Sequence, residues 1–171
     1  MALGFGLCTS ATGSELLVNG NFEAGNSGFA SDLNYVPSPP FQLSGTFGMA
    51  TDPAVWFGGW ANIGDHTTGS GQMLVATPYN GSARIWYETV SVEAGKTYRF
   101  SGWAARVSSD DPHIAMLSMN VQGNSLGLFD LAVLPLGTWG SFSFNYAAAS
   151  SGPAVFSVTD LATSDIGNDF V

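Results

Sequence analysis

Short runs of alternating apolar and polar residues, separated by turn-forming residues, most constrain the fold of this chain. The clearest run covers residues 97–107. Its alternate residues form two faces, Tyr98, Phe100, Gly102 and Ala104 on one and Arg99, Ser101 and Trp103 on the other. Successive side chains of a strand point to opposite faces, and no stretch of useful length has a helical period. The pattern therefore predicts an all-β protein.

Further runs of this kind extend the prediction along the chain. They predict about nine strands, at 16–18, 42–50, 72–77, 83–92, 97–107, 115–121, 126–129, 142–146 and 154–158. Many short strands with regular turn signals are typical of a β-sandwich. We expect a single domain over residues 14–171, built from two packed antiparallel sheets. The loop-rich segment 24–70 is long for a compact domain, and such segments often carry function.

Composition excludes several classes of partner. The 171 residues include four basic and thirteen acidic side chains, which gives a net charge of -9. Nucleic acids and anionic membranes are bound through basic surfaces, so neither is an expected partner. No apolar run has the roughly 18 to 20 residues that a membrane span needs. Cys8 is the only cysteine, which leaves no internal disulfide and no cysteine-built metal site.

The sequences at the two ends of the chain lead to two further predictions. Residues 1–13 are apolar and small, and they read as the remnant of a signal peptide or as an ordinary flexible N-terminus. Residues 168–171 read as the start of a strand. We therefore expect a domain that lacks its last strand, or one whose open edge pairs with another chain.

Three stretches resemble the galactose-binding-like jelly rolls, a fold shared by several carbohydrate-binding modules of bacterial secreted and surface-anchored proteins. They are LLVNGNFEAG at 16–25, the block at 64–105, and GNDFV at 167–171. The resemblance implies a jelly-roll β-sandwich that is secreted or lies at the cell surface. It also implies a structural calcium ion held by Glu23 and a closing aspartate, of which Asp169 is only the neighbour.

Asp65 is a plausible partner of Glu23, because calcium takes several oxygen ligands gathered from loops. The alternative is that Glu23 caps a turn and Asp65 forms an Asx-turn.

A ligand surface for sugars is predicted from exposed aromatic residues. Pyranose rings present apolar faces, so sugar sites combine Trp or Tyr rings with polar side chains. The candidates are Trp56, Trp60, Tyr87, Arg99 and Trp103. The alternative for each aromatic ring is a place in the hydrophobic core, as expected for Trp86 and Trp139.

No catalytic constellation stands out in the sequence. The chain has no nucleophile elbow, its two histidines are far apart, and Glu88 is either turned outward by a bulge or partly buried with a polar partner such as Arg84. We therefore expect no enzyme but a non-catalytic module that binds a polysaccharide or glycoprotein glycan. The alternative is a structural subunit of an extracellular fibre, surface layer or biofilm matrix that assembles through strand edges.

Overall fold

The computed structural model has ten strands within the residues that it describes. It describes the backbone of residues 6–9, and residues 15–39, 43–79, 81, 83–109 and 114–162. The strands are β1 (Gly6–Thr9), β2 (Asn34–Tyr35), β3 (Thr46–Ala50), β4 (Met73–Thr77), β5 (Arg84–Val92), β6 (Thr97–Ala104), β7 (Met116–Val121), β8 (Asn124–Asp130), β9 (Gly140–Ala147) and β10 (Gly152–Asp160). The predicted all-β class with antiparallel sheets is confirmed. No helix in the described residues is long and apolar enough to cross a membrane.

Two sheets pack face to face through aromatic side chains. One has the strand order β1-β6-β9 and the other the order β5-β10-β7-β8. Phe100 of β6 lies between them, with its ring centroid 5.9 Å from that of Trp86 on β5 and 5.5 Å from that of Phe156 on β10. All three side chains are fully buried. Because strand residues alternate, Arg99 and Ser101 beside Phe100, and Tyr87 after Trp86, point away from this core.

A third sheet, with the order β2-β3-β4, was not predicted. Its β2–β3 pair is parallel, whereas β3 and β4 are antiparallel. All five residues of β4 are buried. The 24–70 segment therefore contributes strands and core as well as loops, and the hydrogen bonds divide into three sheets rather than the two expected.

The N-terminal segment contributes a strand where none was expected. β1 pairs antiparallel with β6, and Cys8 is opposite Arg99. Residues 6–9 of the predicted leader or flexible terminus therefore belong to a sheet. By contrast, the strand predicted at 16–18 does not form, and the backbone N–H groups of Leu16 and Leu17 donate to the carboxylate of Glu15. The strand predicted from residue 168 lies outside the described residues.

Glu88 points into the sandwich beside Trp86 and Val90. It is 9% exposed, and its Oε1 accepts a hydrogen bond from the N–H of Val18 at 2.9 Å. Its Oε2 is buried and has no hydrogen-bond partner among the described residues. The polar partner is therefore a backbone amide rather than Arg84, whose guanidinium binds Asp32. Burial raises the pKa of Glu88, the Val18 hydrogen bond lowers it, and the charge of Glu15 raises it further.

Glu88→Gln is expected to make the protein more stable at neutral pH. A pKa raised in the folded state means that stability falls as pH rises from the ordinary value of 4.5 through the folded value. The variant removes that loss and keeps an oxygen for the Val18 amide. Urea unfolding at pH 4 to 8 measures the free energy of unfolding of both proteins. It should be higher for the variant at pH 7, and the difference should narrow toward pH 4.5. An equal difference at every pH would contradict the burial of a charged carboxylate.

Candidate functional site

A cleft of about 460 Å³ lies on the outer face of the β1-β6-β9 sheet. Its described lining residues are Glu15, His66, Thr67, Arg99, Ser101, Gly102, Trp103, Ser141, Phe142 and Ser143. Hydroxyl groups and one exposed indole ring dominate this surface, and Glu15 and Arg99 are its charged side chains. The cleft contains two of the five predicted ligand-binding residues, Arg99 and Trp103.

The alternation of two strands builds the floor of this cleft. In β6, Arg99 and Trp103 are exposed, while Phe100 between them points into the core. Antiparallel pairing with β9 places Ser143 opposite Ser101 and Ser141 opposite Trp103. The side chains of β9 beside Trp103 are small and polar, and Trp103 is 36% exposed. The polar outer face therefore follows from the same period of two that turns the phenylalanines of both strands toward the core.

His66 packs directly against the ring of Trp103. The two ring centroids are 3.6 Å apart and the planes make an angle of 21°. His66 also makes an edge-to-face contact with Trp139, with ring centroids 6.4 Å apart. The indole Nε1 of Trp139 donates to the carbonyl of Gly64 at 3.3 Å. Trp103 is thus supported by a ring from the 64–71 loop, and it remains 36% exposed.

Asp65 holds this loop in shape. Its side chain is 3% exposed and accepts from the N–H groups of Thr67 (2.8 Å), Thr68 (2.7 Å) and Gly71 (2.5 Å), and from the Thr68 hydroxyl (2.6 Å). Burial raises the pKa of Asp65, but these hydrogen bonds outweigh it and hold the pKa well below its ordinary value. Gly64 approaches the carbonyl of Gly69 so closely that a side chain there would collide with it. The loop that carries His66 is therefore fixed by hydrogen bonds at its base.

His66 is half-buried, and burial lowers its pKa despite the opposing charge of Asp65. The neutral imidazole is therefore the form that stacks on Trp103 at neutral pH.

The His66 environment predicts a loss of stability on mild acidification. Histidine in an unfolded chain takes up its proton at a pH of about 6.5, whereas folded His66 takes it up only at lower pH. The unfolded state then binds more protons, so the free energy of unfolding falls as pH drops from about 6.5 toward the folded pKa. His66→Gln should remove this dependence of the unfolding free energy on pH, measured by urea unfolding at pH 5 to 8. Subtracting the curve of the variant from that of the wild type cancels the contribution of His113, which both proteins contain. Identical slopes in both proteins would contradict the burial of His66.

The predicted calcium ligands do not form a cation site among the described residues. Glu23 and Asp65 both reach the 71–72 segment, where Glu23 Oε1 accepts from the N–H of Gln72 at 3.2 Å. Both oxygens of Asp65, however, face N–H and O–H donors, which is the wrong polarity for a cation ligand. No group of three His, Cys, Asp or Glu side chains gathers in the part of the chain that is described. Asp65 as a calcium ligand is therefore corrected to a loop cap, and Asp169 lies outside the described residues.

Trp56 and Trp60 are corrected from ligand surface to hydrophobic core. They are 2% and 6% exposed, so neither presents a ring face to a sugar. The segment is not an open loop, because Pro53–Val55 forms a 3₁₀ turn whose first residues are capped by Asp52. The turn and the edge contact of Phe57 with Trp60, at 5.9 Å between centroids, bring both indoles inside.

Tyr87 belongs to a different surface. It follows the buried Trp86 on β5 and so points outward from the other sheet, away from Trp103. The guanidinium of Arg84 lies 3.7 Å from the centre of the Tyr87 ring, and a bidentate contact with Asp32 fixes it there. A smaller cleft of about 170 Å³, lined by Arg84, Asn120 and Ser157 among others, lies on this face. The structure thus separates Tyr87 from the Arg99–Trp103 pair.

Sequence reasoning missed His66 and the serines of the cleft. The serines had a readable signal, because Ser141 and Ser143 alternate with the inward-facing Phe142 and Phe144. His66 had none, since its stacking on Trp103 joins a loop to a strand 37 positions further along the chain.

Comparisons with known proteins give a likeness of fold. No protein-family model and no curated protein matches the chain. The chain resembles a cyclase from Fischerella sp. TAU, solved with 4-(1H-indol-3-yl)butan-2-one, at 8% identity and a TM-score of 0.55, over 84% of this chain and 81% of the cyclase. It also matches the EclA C-terminal domain, described as a sugar-binding protein, at 22% identity and a TM-score of 0.47, over 54% of this chain and 64% of that one.

The chain spans less than two-thirds of the EclA domain, and that TM-score is too low to establish a common fold. The likeness to the cyclase shows a shared fold, which does not decide between catalysis and binding.

Proposed function

We propose that this chain binds carbohydrate in the cleft on the outer face of the β1-β6-β9 sheet. The observation that carries the proposal is the exposed indole of Trp103 on a sheet face lined by serine hydroxyls. An aromatic plane matches the apolar face of a pyranose ring, and the hydroxyls exchange hydrogen bonds with its rim. Binding sites combine apolar surface with a few placed polar groups in this way.

The residues that hold Trp103 in place favour binding without rearrangement of the site. His66 stacks against the indole, and Asp65 fixes the loop that carries His66. A ring that is already held in one orientation loses little conformational entropy when a ligand stacks on it. The site is thus organised before the sugar arrives.

We also propose a non-catalytic role. Glycoside hydrolysis uses two carboxyl groups that flank the scissile bond. Glu15 is the only acid among the described residues that line the cleft, and its Oε1 already accepts two backbone N–H groups. The sequence resemblance adds the wider proposal of a jelly-roll module that is secreted or lies at the bacterial cell surface. Calcium binding and assembly through strand edges stay predictions.

Quenching of tryptophan fluorescence tests the proposed site in the unaltered protein. Trp56, Trp60 and Trp86 are buried and Trp139 is half-buried, so an aqueous quencher such as acrylamide reports mainly on Trp103. The test titrates a panel of neutral and acidic plant, algal and bacterial oligosaccharides and measures the heat of binding and the quenching together. We expect each sugar that binds to protect the accessible fluorescence. Binding that leaves acrylamide quenching unchanged would contradict the assignment of the cleft.

A further inference from the structure

Arg99 is a free cation in a protein that has few cations. The chain has four basic side chains against thirteen acidic ones. One of the four, Arg84, is held by Asp32 at 2.8 Å, which is the only ion pair within the described part of the chain. Arg99 is exposed in the cleft, and its guanidinium has no hydrogen bond or ion pair with any residue that the structure describes. A cation at this position is therefore open to a ligand.

No other titratable group among the described residues of the cleft is paired with Arg99. Glu15 lines the same cleft, but its Oε1 accepts from the N–H groups of Leu16 and Leu17, and it forms no ion pair with Arg99. His66 is neutral at pH 7, because burial lowers its pKa. A guanidinium presents a rigid fork of donors that matches the two oxygens of a carboxylate or sulfate group. Such a group on a ligand would meet an unpaired partner here.

The spacing of Arg99 and Trp103 sets the size of the ligand. Both side chains lie on the outer face of β6, four residues apart, and Ser101 lies between them. At about 3.3 Å per residue, their Cα atoms are about 13 Å apart. The two side chains cover part of this distance, and a ligand of two sugar rings is long enough to cover the rest.

We propose that the cleft selects acidic oligosaccharides. One ring stacks on Trp103, and a carboxylate or sulfate group on a neighbouring ring binds Arg99. The inference rests on the proposed function, since it names the class of sugar that the same cleft takes. It adds an anionic group on the ring next to the stacked one.

Calorimetry with matched probes tests this selection. The probes are an oligogalacturonate, the same oligomer with its carboxylates methyl-esterified, and an oligosaccharide of equal length whose only charged groups are sulfates. All are measured at one ionic strength. We expect the wild-type protein to bind at least one anionic probe about tenfold more tightly than the neutral ester, as one charge-assisted contact implies. The stronger anionic probe identifies whether carboxylate or sulfate is preferred.

Three variants assign the preference to Arg99. Arg99→Gln should bind the anionic probe and the neutral ester equally, and Arg99→Lys should keep part of the preference. Lys96→Gln is the matched control, because Lys96 is an exposed cation outside the cleft lining and its loss should change nothing. Circular dichroism checks that each variant is folded.

The outcomes separate the two proposals. Equal affinity of wild-type protein for the ester and both anionic probes, or an anionic preference that survives Arg99→Gln, overturns the selection of acidic sugars and leaves carbohydrate binding in place. If no acidic or neutral oligosaccharide binds and protects Trp103 from acrylamide, the proposed function fails and the present inference fails with it.

Discussion

Trp103→Ala is expected to weaken oligosaccharide binding by about sixty-fold. A sugar ring stacked on the indole removes roughly 100 Å² of apolar surface from water, worth about 2.5 kcal/mol at about 25 cal/mol per Å². Alanine offers almost none of that surface. Because Trp103 is 36% exposed, the loss of stability should be smaller than for a buried tryptophan. Isothermal titration calorimetry with the tightest-binding oligosaccharide measures the affinity, and thermal melts measure the stability.

Two further variants test whether the loss of affinity comes from the aromatic ring at position 103. Trp103→Phe keeps an aromatic plane and should lose only part of the affinity. Tyr35→Ala removes an aromatic ring of similar exposure, 41%, that lies on β2 outside the cleft lining, and it should bind as the wild type does. If Trp103→Ala binds oligosaccharide with wild-type affinity, Trp103 is not the stacking platform.

Asp65→Ala is expected to cause the largest loss of stability among the site variants. The buried carboxylate accepts four hydrogen bonds, and its removal leaves the N–H groups of Thr67, Thr68 and Gly71 without their acceptor. Losing hydrogen bonds to a charged group costs about 3 kcal/mol, after some of the donors in this exposed loop turn to water. For a chain of this size, that corresponds to a fall in Tm of about 6 to 12 °C. Differential scanning calorimetry measures it.

The same variant should also reduce sugar binding at temperatures where it remains folded. His66 follows Asp65 and supports the Trp103 ring, so a loosened loop releases one side of the platform. Asp52→Ala is the matched control, because Asp52 caps a 3₁₀ turn with one hydrogen bond to the N–H of Ala54 at 2.9 Å. It should cost about 1 kcal/mol and leave binding unchanged. Equal effects of the two variants on binding would contradict the role of Asp65 in positioning His66.

Most strands from β4 onward could be predicted because each is an apolar or alternating run with a clear turn signal before it. The prediction for 83–92 differs from β5 (Arg84–Val92) by one residue, and that for 72–77 differs from β4 (Met73–Thr77) by one. β1 could not be predicted, since its four residues, Gly6–Thr9, are apolar and small and carry no alternation. Its place in the sheet depends on pairing with β6, about ninety residues away. Contacts between distant segments leave no local pattern.

In the candidate site, too, local patterns could be predicted and contacts between distant segments could not. Arg99 and Trp103 were paired correctly because they share a face of one strand, which parity alone determines. Trp56 and Trp60 were placed wrongly because glycine-rich sequence around them suggested an open loop, whereas burial of their rings is decided by packing with the rest of the chain. Tyr87 was grouped with Trp103 because parity orders residues within a strand but does not say which sheet each strand joins.

Chemical-shift mapping by NMR tests the central claim, carbohydrate binding on the β1-β6-β9 face, most directly. The protein, labelled with nitrogen-15, is titrated with the tightest-binding oligosaccharide of the panel. We expect the largest shifts on Arg99, Ser101, Ser143 and the amide and indole N–H of Trp103. Shifts that instead cluster on Tyr87, Asn120 and Ser157 of the opposite face would contradict it.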